Sequence, residues 1–422
     1  MKKLLAILFV AAFAAAAAFA QDGEPSFKLS GDAKTGIYYN DEQYAGKELK
    51  VNDLAVENHD GDPNGNRFRL NMDYENGRGL GFRARLQWTE WRQDVFTKWA
   101  YAFGYGNFFT DTLAQMTISV GKLGGSPWGT GGPEMWKELE DNGNGGGMRV
   151  EWKPAWPEEW GKLNAGFVLN YFNQDRDQGV DNTEIVITLA EILKESVIGV
   201  SYTHEWFMAR VAYRLDSAVD ANQANKAPGA SGQGEDEMVF RVEEYALKRW
   251  VPGFRVWGLG HFYGLSAKKK EVQTYKNWFF IEYDPPELGP LVTPFTAQLN
   301  LGLENSFIED PQDESKGLVM GNFFLKPSFY WHFSPGGYSK LISVGSAFRV
   351  SFDYGAGGIE GPHPYYYMEI EPKIQINFQS SYIAFAYQFR KEYIHEQFAQ
   401  SMGLKEPVKQ TQWMNLRFCI NF

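Results

Sequence analysis

Cysteine is nearly missing from this chain: its 422 residues hold one, Cys419, which excludes an intrachain disulfide framework. Histidine is scarce, with six residues: His59, His204, His261, His332, His363 and His395. None lies beside a recognisable Ser-Asn-Gly arrangement of the kind a nucleophile–base system needs. His261 and His332 fall in strand-like segments, where they read as wall residues, so no enzyme is expected. No Lys/Arg cluster forms a nucleic-acid footprint, and Lys268-Lys269-Lys270 reads as a loop, so no nucleic-acid partner is expected. After residue 20 there is no second long apolar run, which excludes spanning helices. The mean hydropathy is −0.41. That value alone suits a soluble protein, but it also suits a membrane barrel, whose lipid-facing residues are diluted one to one by polar lumen-facing ones.

Aromatic residues are abundant: 14 Trp, 22 Tyr and 32 Phe make 16% of the chain, as two interfacial girdles would require. At the N-terminus Lys2 and Lys3 precede an apolar run from Leu4 to Phe19, and Ala18-Phe19-Ala20 fits a small-x-small cleavage pattern. Residues 1–20 therefore read as a secretory signal peptide, leaving 21–422 as one domain without an internal linker. The formal net charge of −11 grows by two negative units once Lys2 and Lys3 leave.

Period-two segments recur throughout, as strands with one apolar and one wet face show. Phe27, Leu29, Ala33, Ile37 and Tyr39 oppose Lys28, Ser30, Asp32 and Lys34. Phe68, Leu70, Met72 and Tyr74 oppose Arg67, Arg69, Asn71 and Asp73. Leu80, Phe82, Ala84 and Leu86 oppose Arg83, Arg85 and Gln87. The connections alternate short and long. Glu75-Asn76-Gly77-Arg78-Gly79 carries the Asn-Gly hairpin signal, and 204–206, 334–340 and 379–381 are also short. Asn40–Asn66, Lys122–Gly147, Asn173–Glu195, Asp216–Asp236, Asn305–Lys316 and Lys391–Gln410 read as long polar loops. Thr183–Glu195 fits either a strand or a loop with a helical turn; the alternation assigns it to a loop. The count is about eighteen strands, an even number as single-chain bacterial barrels have, and shifting one hairpin gives sixteen. The expected fold is all-β: a transmembrane antiparallel up-and-down barrel.

The alternating final segment, Met414 to Phe422, resembles the C-terminal strand of bacterial outer-membrane barrels. That resemblance implies a bacterial outer-membrane location, lipid as surroundings, and Phe422 as the signal read by the barrel-assembly machinery. The run Ala100-Tyr101-Ala102-Phe103-Gly104-Tyr105-Gly106-Asn107-Phe108, followed by Met116 to Lys122, resembles the hairpin of general diffusion porins. In that family the hairpin leads into a long third loop that folds into the barrel, narrows the pore and carries a Pro-Glu pair with acidic residues facing a wall of arginines. Here the loop holds Pro133-Glu134, and the resemblance implies a constriction with Arg67, Arg69, Arg83 and Arg85 on one side and Glu134, Glu138 and Glu140 on the other. It further implies passive diffusion of small hydrophilic solutes, a channel role, no cofactor, and a homotrimer. Rings of side-chain charge of this kind set ion selectivity.

Other readings stand beside these. The arginines can equally form packing ion pairs in a plugged barrel, which would make the chain a non-transporting surface protein or adhesin. Trp257, Trp278, Trp331 and Trp413 can face inward, where aromatic faces stack on sugars, or sit in interfacial belts. Asp60, Asp62 and Asn64 open a calcium-loop pattern. Its twelfth position is Asn71 rather than Glu, so a simple Asx-Gly turn competes with a loop-stiffening Ca2+ site.

Overall fold

The computed structural model describes residues 24–44, 47–55, 66–89, 95–107, 114–123, 128, 146–170, 196–214, 236–265, 274–285, 295–310, 313–333, 341–355, 364–394, 396–401, 403 and 406–422. The signal-peptide segment, Asp60, Asp62, Asn64, Glu134, Glu138, Glu140 and Thr183–Glu195 lie outside the described residues.

The strands in chain order are β1 (Ser26–Tyr44), β2 (Lys47–Ala55), β3 (Arg67–Glu75), β4 (Leu80–Thr89), β5 (Val95–Asn107), β6 (Ala114–Lys122), β7 (Gly146–Pro154), β8 (Lys162–Asn170), β9 (Val197–Thr203) and β10 (Phe207–Arg214). They continue with β11 (Glu237–Glu244), β12 (Phe254–Tyr263), β13 (Thr274–Tyr283), β14 (Phe295–Asp310), β15 (Asp313–Phe333), β16 (Ile342–Gly355), β17 (Pro364–Phe378), β18 (Ser381–Ile394) and β19 (Val408–Asn421). From β3 onward each strand pairs antiparallel with the next, and β19 returns to β1. One flank of β1 is shared: β3 covers Ser26–Lys34 and β2 covers Tyr38–Tyr44. Counting β2 and β3 as one wall position, the sheet is a closed antiparallel barrel of 18 strands. Among the described residues every strand except β2, which pairs with β1 alone, has a neighbour on both sides.

Strand β17 shows why the chain folds this way. Its apolar residues are the exposed ones, Ile370 at 45%, Ile374 at 43% and Phe378 at 53%, while Glu369 on the other phase is 5% exposed. This is the reverse of a soluble sheet, and it repeats on β9, where exposed Ile198 and Val200 alternate with buried Val197, Gly199 and Ser201. Aromatics gather outside at the end that carries the short turns: Phe27, Trp160, Trp206, Phe207, Trp250, Phe333, Phe378 and Phe422 are all exposed. The Asn76 turn forms as expected, with the Asn76 side-chain oxygen accepting from the backbone N–H of Arg78 (2.7 Å) and Leu80 (3.0 Å).

The seam closes where β19 meets β1. Gly31 donates to the Phe422 carbonyl at 2.8 Å, and Phe422 donates back at 3.1 Å. The Phe422 ring lies over Gly31, where a Cβ would strike it, and stacks on Phe68 of β3 at 6.1 Å. The missing side chain at Gly31 is thus what lets the last ring reach a strand beyond its immediate neighbour.

Three expected loops are partly strand. Asn305–Lys316 is replaced by β14 running to Asp310 and β15 starting at Asp313. Within Asn40–Asn66, β1 continues to Tyr44 and β2 follows. Within Lys391–Gln410, β18 reaches Ile394, a short helix spans Glu396–Ser401, and β19 begins at Val408. The reason is that the backbone ladder continues past the alternating segments, since main-chain hydrogen bonds do not require an alternating side-chain pattern. Strand length is accordingly uneven, from 7 residues in β9 to 21 in β15. Trp331 faces outward at 45% exposure, packed with Phe295 and Phe329, so it belongs to the belt and not to the inner wall. Phe329 to Phe333 is aromatic at nearly every position, which hides the phase.

Candidate functional site

Residues two apart on a strand share a face, so Arg67, Arg69, Asn71 and Asp73 of β3 point to the inner side together. The register sets Asn71 opposite Arg85 and Asp73 opposite Arg83 of β4. All four predicted arginines therefore meet on one patch of inner wall. Their partners there are partly in the wall itself. Arg67, 6% exposed, donates from Nε and Nη2 to one Asp32 oxygen of β1 at 3.2 and 3.1 Å, and Arg69 Nη1 lies 3.9 Å from the other oxygen. Arg85 Nε donates to Asn71 at 2.7 Å. Arg83 pairs with Asp73 at 3.0 Å and remains half-exposed. Desolvating a guanidinium without a partner costs several kcal/mol, on the order of the penalty for any buried ion; Asp32 removes that cost for Arg67. Sequence reading placed Asp32 on the polar face of β1 without making it a partner.

The same logic extends around the barrel. On β7 Arg149 meets Glu151 at 2.9 Å. Glu237 of β11 pairs with Arg214 of β10 and with His261 of β12, the latter at 2.6 Å. Arg241 and Arg255 share Glu243 at 2.8 and 3.2 Å, and Arg255 reaches Glu282 of β13 at 3.1 Å. Arg390 of β18 holds Glu369 of β17 at 2.6 Å and Glu392 at 3.2 Å. These pairs were missed in the sequence, although Arg241 with Glu243 and Arg390 with Glu392 stand at the i, i+2 spacing that signals one face. At the turn after β11, burial first and the Glu243 carboxylate second raise the Tyr245 phenol above its ordinary value.

Between the charges runs a track of rings. The Arg241 guanidinium lies 4.3 Å from the Trp257 ring centre, and Trp257 stacks on Phe280 at 3.8 Å. Trp278 meets Phe324 edge-on at 5.1 Å, and Arg349 sits 4.4 Å over Phe324. Arg390 lies 4.7 Å from Tyr367 and 4.8 Å from Trp413. Guanidinium–ring contacts of this kind hold long side chains flat against a wall. Trp257, Trp278 and Trp413, expected either inside or in belts, are inner-wall residues. His332 is one as well: its ring nitrogens meet the hydroxyls of Thr296 (2.9 Å) and Ser343 (2.7 Å).

The connection from β6 to β7, the third at the long-loop end, reaches the inner wall at Trp128. This residue is fully buried among Val168, Val197, Ala212 and Val239, and its indole N–H donates to the Asn164 carbonyl at 3.3 Å. A Cβ on Gly199 would collide with the indole, and one on Gly166 would touch it. Two glycines on neighbouring strands thus make the socket. Leu123, at the start of the same connection, packs on Tyr101 and Phe103. Trp128 was not singled out from the sequence, because a lone Trp in a Gly/Pro-rich stretch has no period to reveal its side.

The inner wall is thus a lining of paired charges, rings and hydroxyls within an apolar exterior. No protein-family model matches the chain, and no curated protein matches it in sequence. Among solved structures it is similar to OmpT, an outer membrane protein of Vibrio cholerae, at 8% identity and a TM-score of 0.43, over 95% of this chain and 99% of that one. It is similar to OccK5 (OpdH) of Pseudomonas aeruginosa at 9% identity and a TM-score of 0.44, over 93% and 98%. A solved porin structure aligns at 11% identity and a TM-score of 0.41, over 94% and 100%. No residue role passes from them to this chain.

Proposed function

We propose that the protein is a porin-like channel of the bacterial outer membrane through which small hydrophilic solutes diffuse passively. The observation that carries this reading is the reversed exposure of the strands: apolar side chains meet the surroundings and charged ones line the interior. A closed barrel satisfies every backbone group within the wall, and with helices it is the only form that spans hydrocarbon. An even strand number, short turns at one end and long connections at the other complete the outer-membrane pattern. In this reading the third connection, anchored by Trp128, narrows the passage. Its Glu134, Glu138 and Glu140 stand across from Arg67, Arg69, Arg83 and Arg85, and their field sorts the solutes. Residues 1–20 direct export and are removed, Phe422 is the assembly signal, and the barrels associate as trimers. The channel needs no cofactor and performs no catalysis.

The test is planar-bilayer recording of the refolded protein, followed by liposome swelling with sugars of graded size. Stepwise current and size-dependent swelling are the expected results. Absence of current above background overturns the channel reading in favour of a closed surface barrel, a reading to which the buried Trp257–Phe280–Trp278–Phe324 cluster inside the wall lends weight.

A further inference from the structure

The strand register sorts the charged residues of the wall to one face or the other. Among the described residues of the inward phase, lysine and arginine number twenty, and aspartate and glutamate ten. The surplus is not a patch. From β7 to β14 the inward residues are eight cations and four carboxylates, and from β15 through β19 and β1 to β4 they are twelve and six. The chain as a whole carries a net charge of −11, so its negative surplus lies elsewhere than on this face. Glu42, Glu304 and Asp353 hold further inward register positions. Together with Glu134, Glu138 and Glu140 of the third connection, they are fewer than the ten surplus cations.

Ion pairing does not remove this surplus; it fixes the charges in place. Asp32 serves both Arg67 at 3.1 Å and Arg69 at 3.9 Å, two cations on one carboxylate. Neutral groups help to hold other guanidiniums. Arg85 donates to the Asn71 amide oxygen at 2.7 Å, and Arg349 lies 4.4 Å from the Phe324 ring and 5.5 Å from the Tyr367 ring. An amide oxygen or a ring face steadies a guanidinium without cancelling its charge. At a distance a pair acts through its net charge, so a solute on the barrel axis meets the surplus and not the single contacts. Walls of one sign and low dielectric focus that field and raise the local concentration of the counter-ion. We propose that the passage is anion-selective and that its solutes are small inorganic and organic anions. This rests on the channel reading and adds to it the charge class of what passes.

The experiment is the zero-current potential of the refolded full-length barrel in a planar bilayer under a KCl gradient. Expected at low salt is a chloride-over-potassium permeability ratio on the order of fivefold, as a wall potential of roughly one kT gives. At about 1 M salt the ratio should fall toward unity, because the screening length drops to about 3 Å. The test of a wall-wide origin combines Lys28→Glu, Lys153→Glu and Lys162→Glu. These lysines are exposed on the inward phase near the end with the short turns, outside the set of arginines assigned to the constriction. The triple variant should lower the ratio at least about twofold, since every wall charge adds to the field. Arginine at the same three positions should preserve it. If the glutamate variant fails to refold, as judged by heat-modifiable gel mobility, glutamine at the three positions carries the same test with half the change. A steady current with a ratio of one or below overturns anion selectivity and leaves the channel reading standing. An anion preference that the folded variant does not move overturns the wall-wide origin. Absence of current overturns the channel reading and anion selectivity with it.

Discussion

Trp128 is held by three kinds of contact: aliphatic packing, one indole hydrogen bond, and the close approach that Gly199 and Gly166 permit. Truncating a buried aromatic costs about 3–5 kcal/mol, so Trp128→Ala should free the third connection from the wall. The expected readouts are a higher single-channel conductance and new protease cleavage between residues 123 and 146. Gly199→Val, which fills the socket from the other side, should behave the same way, and a variant pair with unchanged conductance would detach Trp128 from pore width. Among the arginines, Arg67 and Arg69 are the sharper test of the constriction. Replacing both with Gln should shift the reversal potential in a salt gradient toward cations, and an unaltered potential would leave them a packing role with Asp32. The sequence showed these arginines on one face of adjacent strands because alternation is a local property. It did not show Asp32 as their counter-ion, because pairing depends on side-chain reach across β1 and β3.

At the level of strands, polarity and periodicity were readable wherever one face meets lipid and the other water. β3, β4 and β17 are of this kind. They fail where the backbone ladder continues without an alternating pattern, as in the upper part of the β14–β15 hairpin, or where both phases are aromatic, as around Trp331. The hairpin leads to a prediction: deleting residues 307–318 and joining the ends with a short turn should leave the barrel folded, with its urea midpoint essentially unmoved. The seam predicts the opposite. Phe422→Ala removes a ring stacked on Phe68, worth about 0.5–1.5 kcal/mol beyond its area, and should lower the urea midpoint of refolded protein modestly. If Phe422 also serves as the assembly signal, its loss should reduce outer-membrane yield in cells far more than that small change in stability explains.

Taken as a molecule, the barrel places its charges in pairs that link one strand to the next, from Asp32–Arg67 through Glu237–Arg214 to Arg390–Glu369. Such pairs contribute little net stability, since desolvation offsets attraction, but each would be costly to bury outward, so together they specify which side of every strand faces in. The pairing of the first and last strands through Gly31 and Phe422 adds a constraint of timing. β1 emerges first from synthesis and finds its second neighbour last, so the nascent sheet carries an unsatisfied edge until β19 exists. Closing so long a loop is entropically the slowest pairing available to the chain. A chaperone or membrane machine that shields the free side of β1 would therefore govern how fast, and how faithfully, the protein completes its circle.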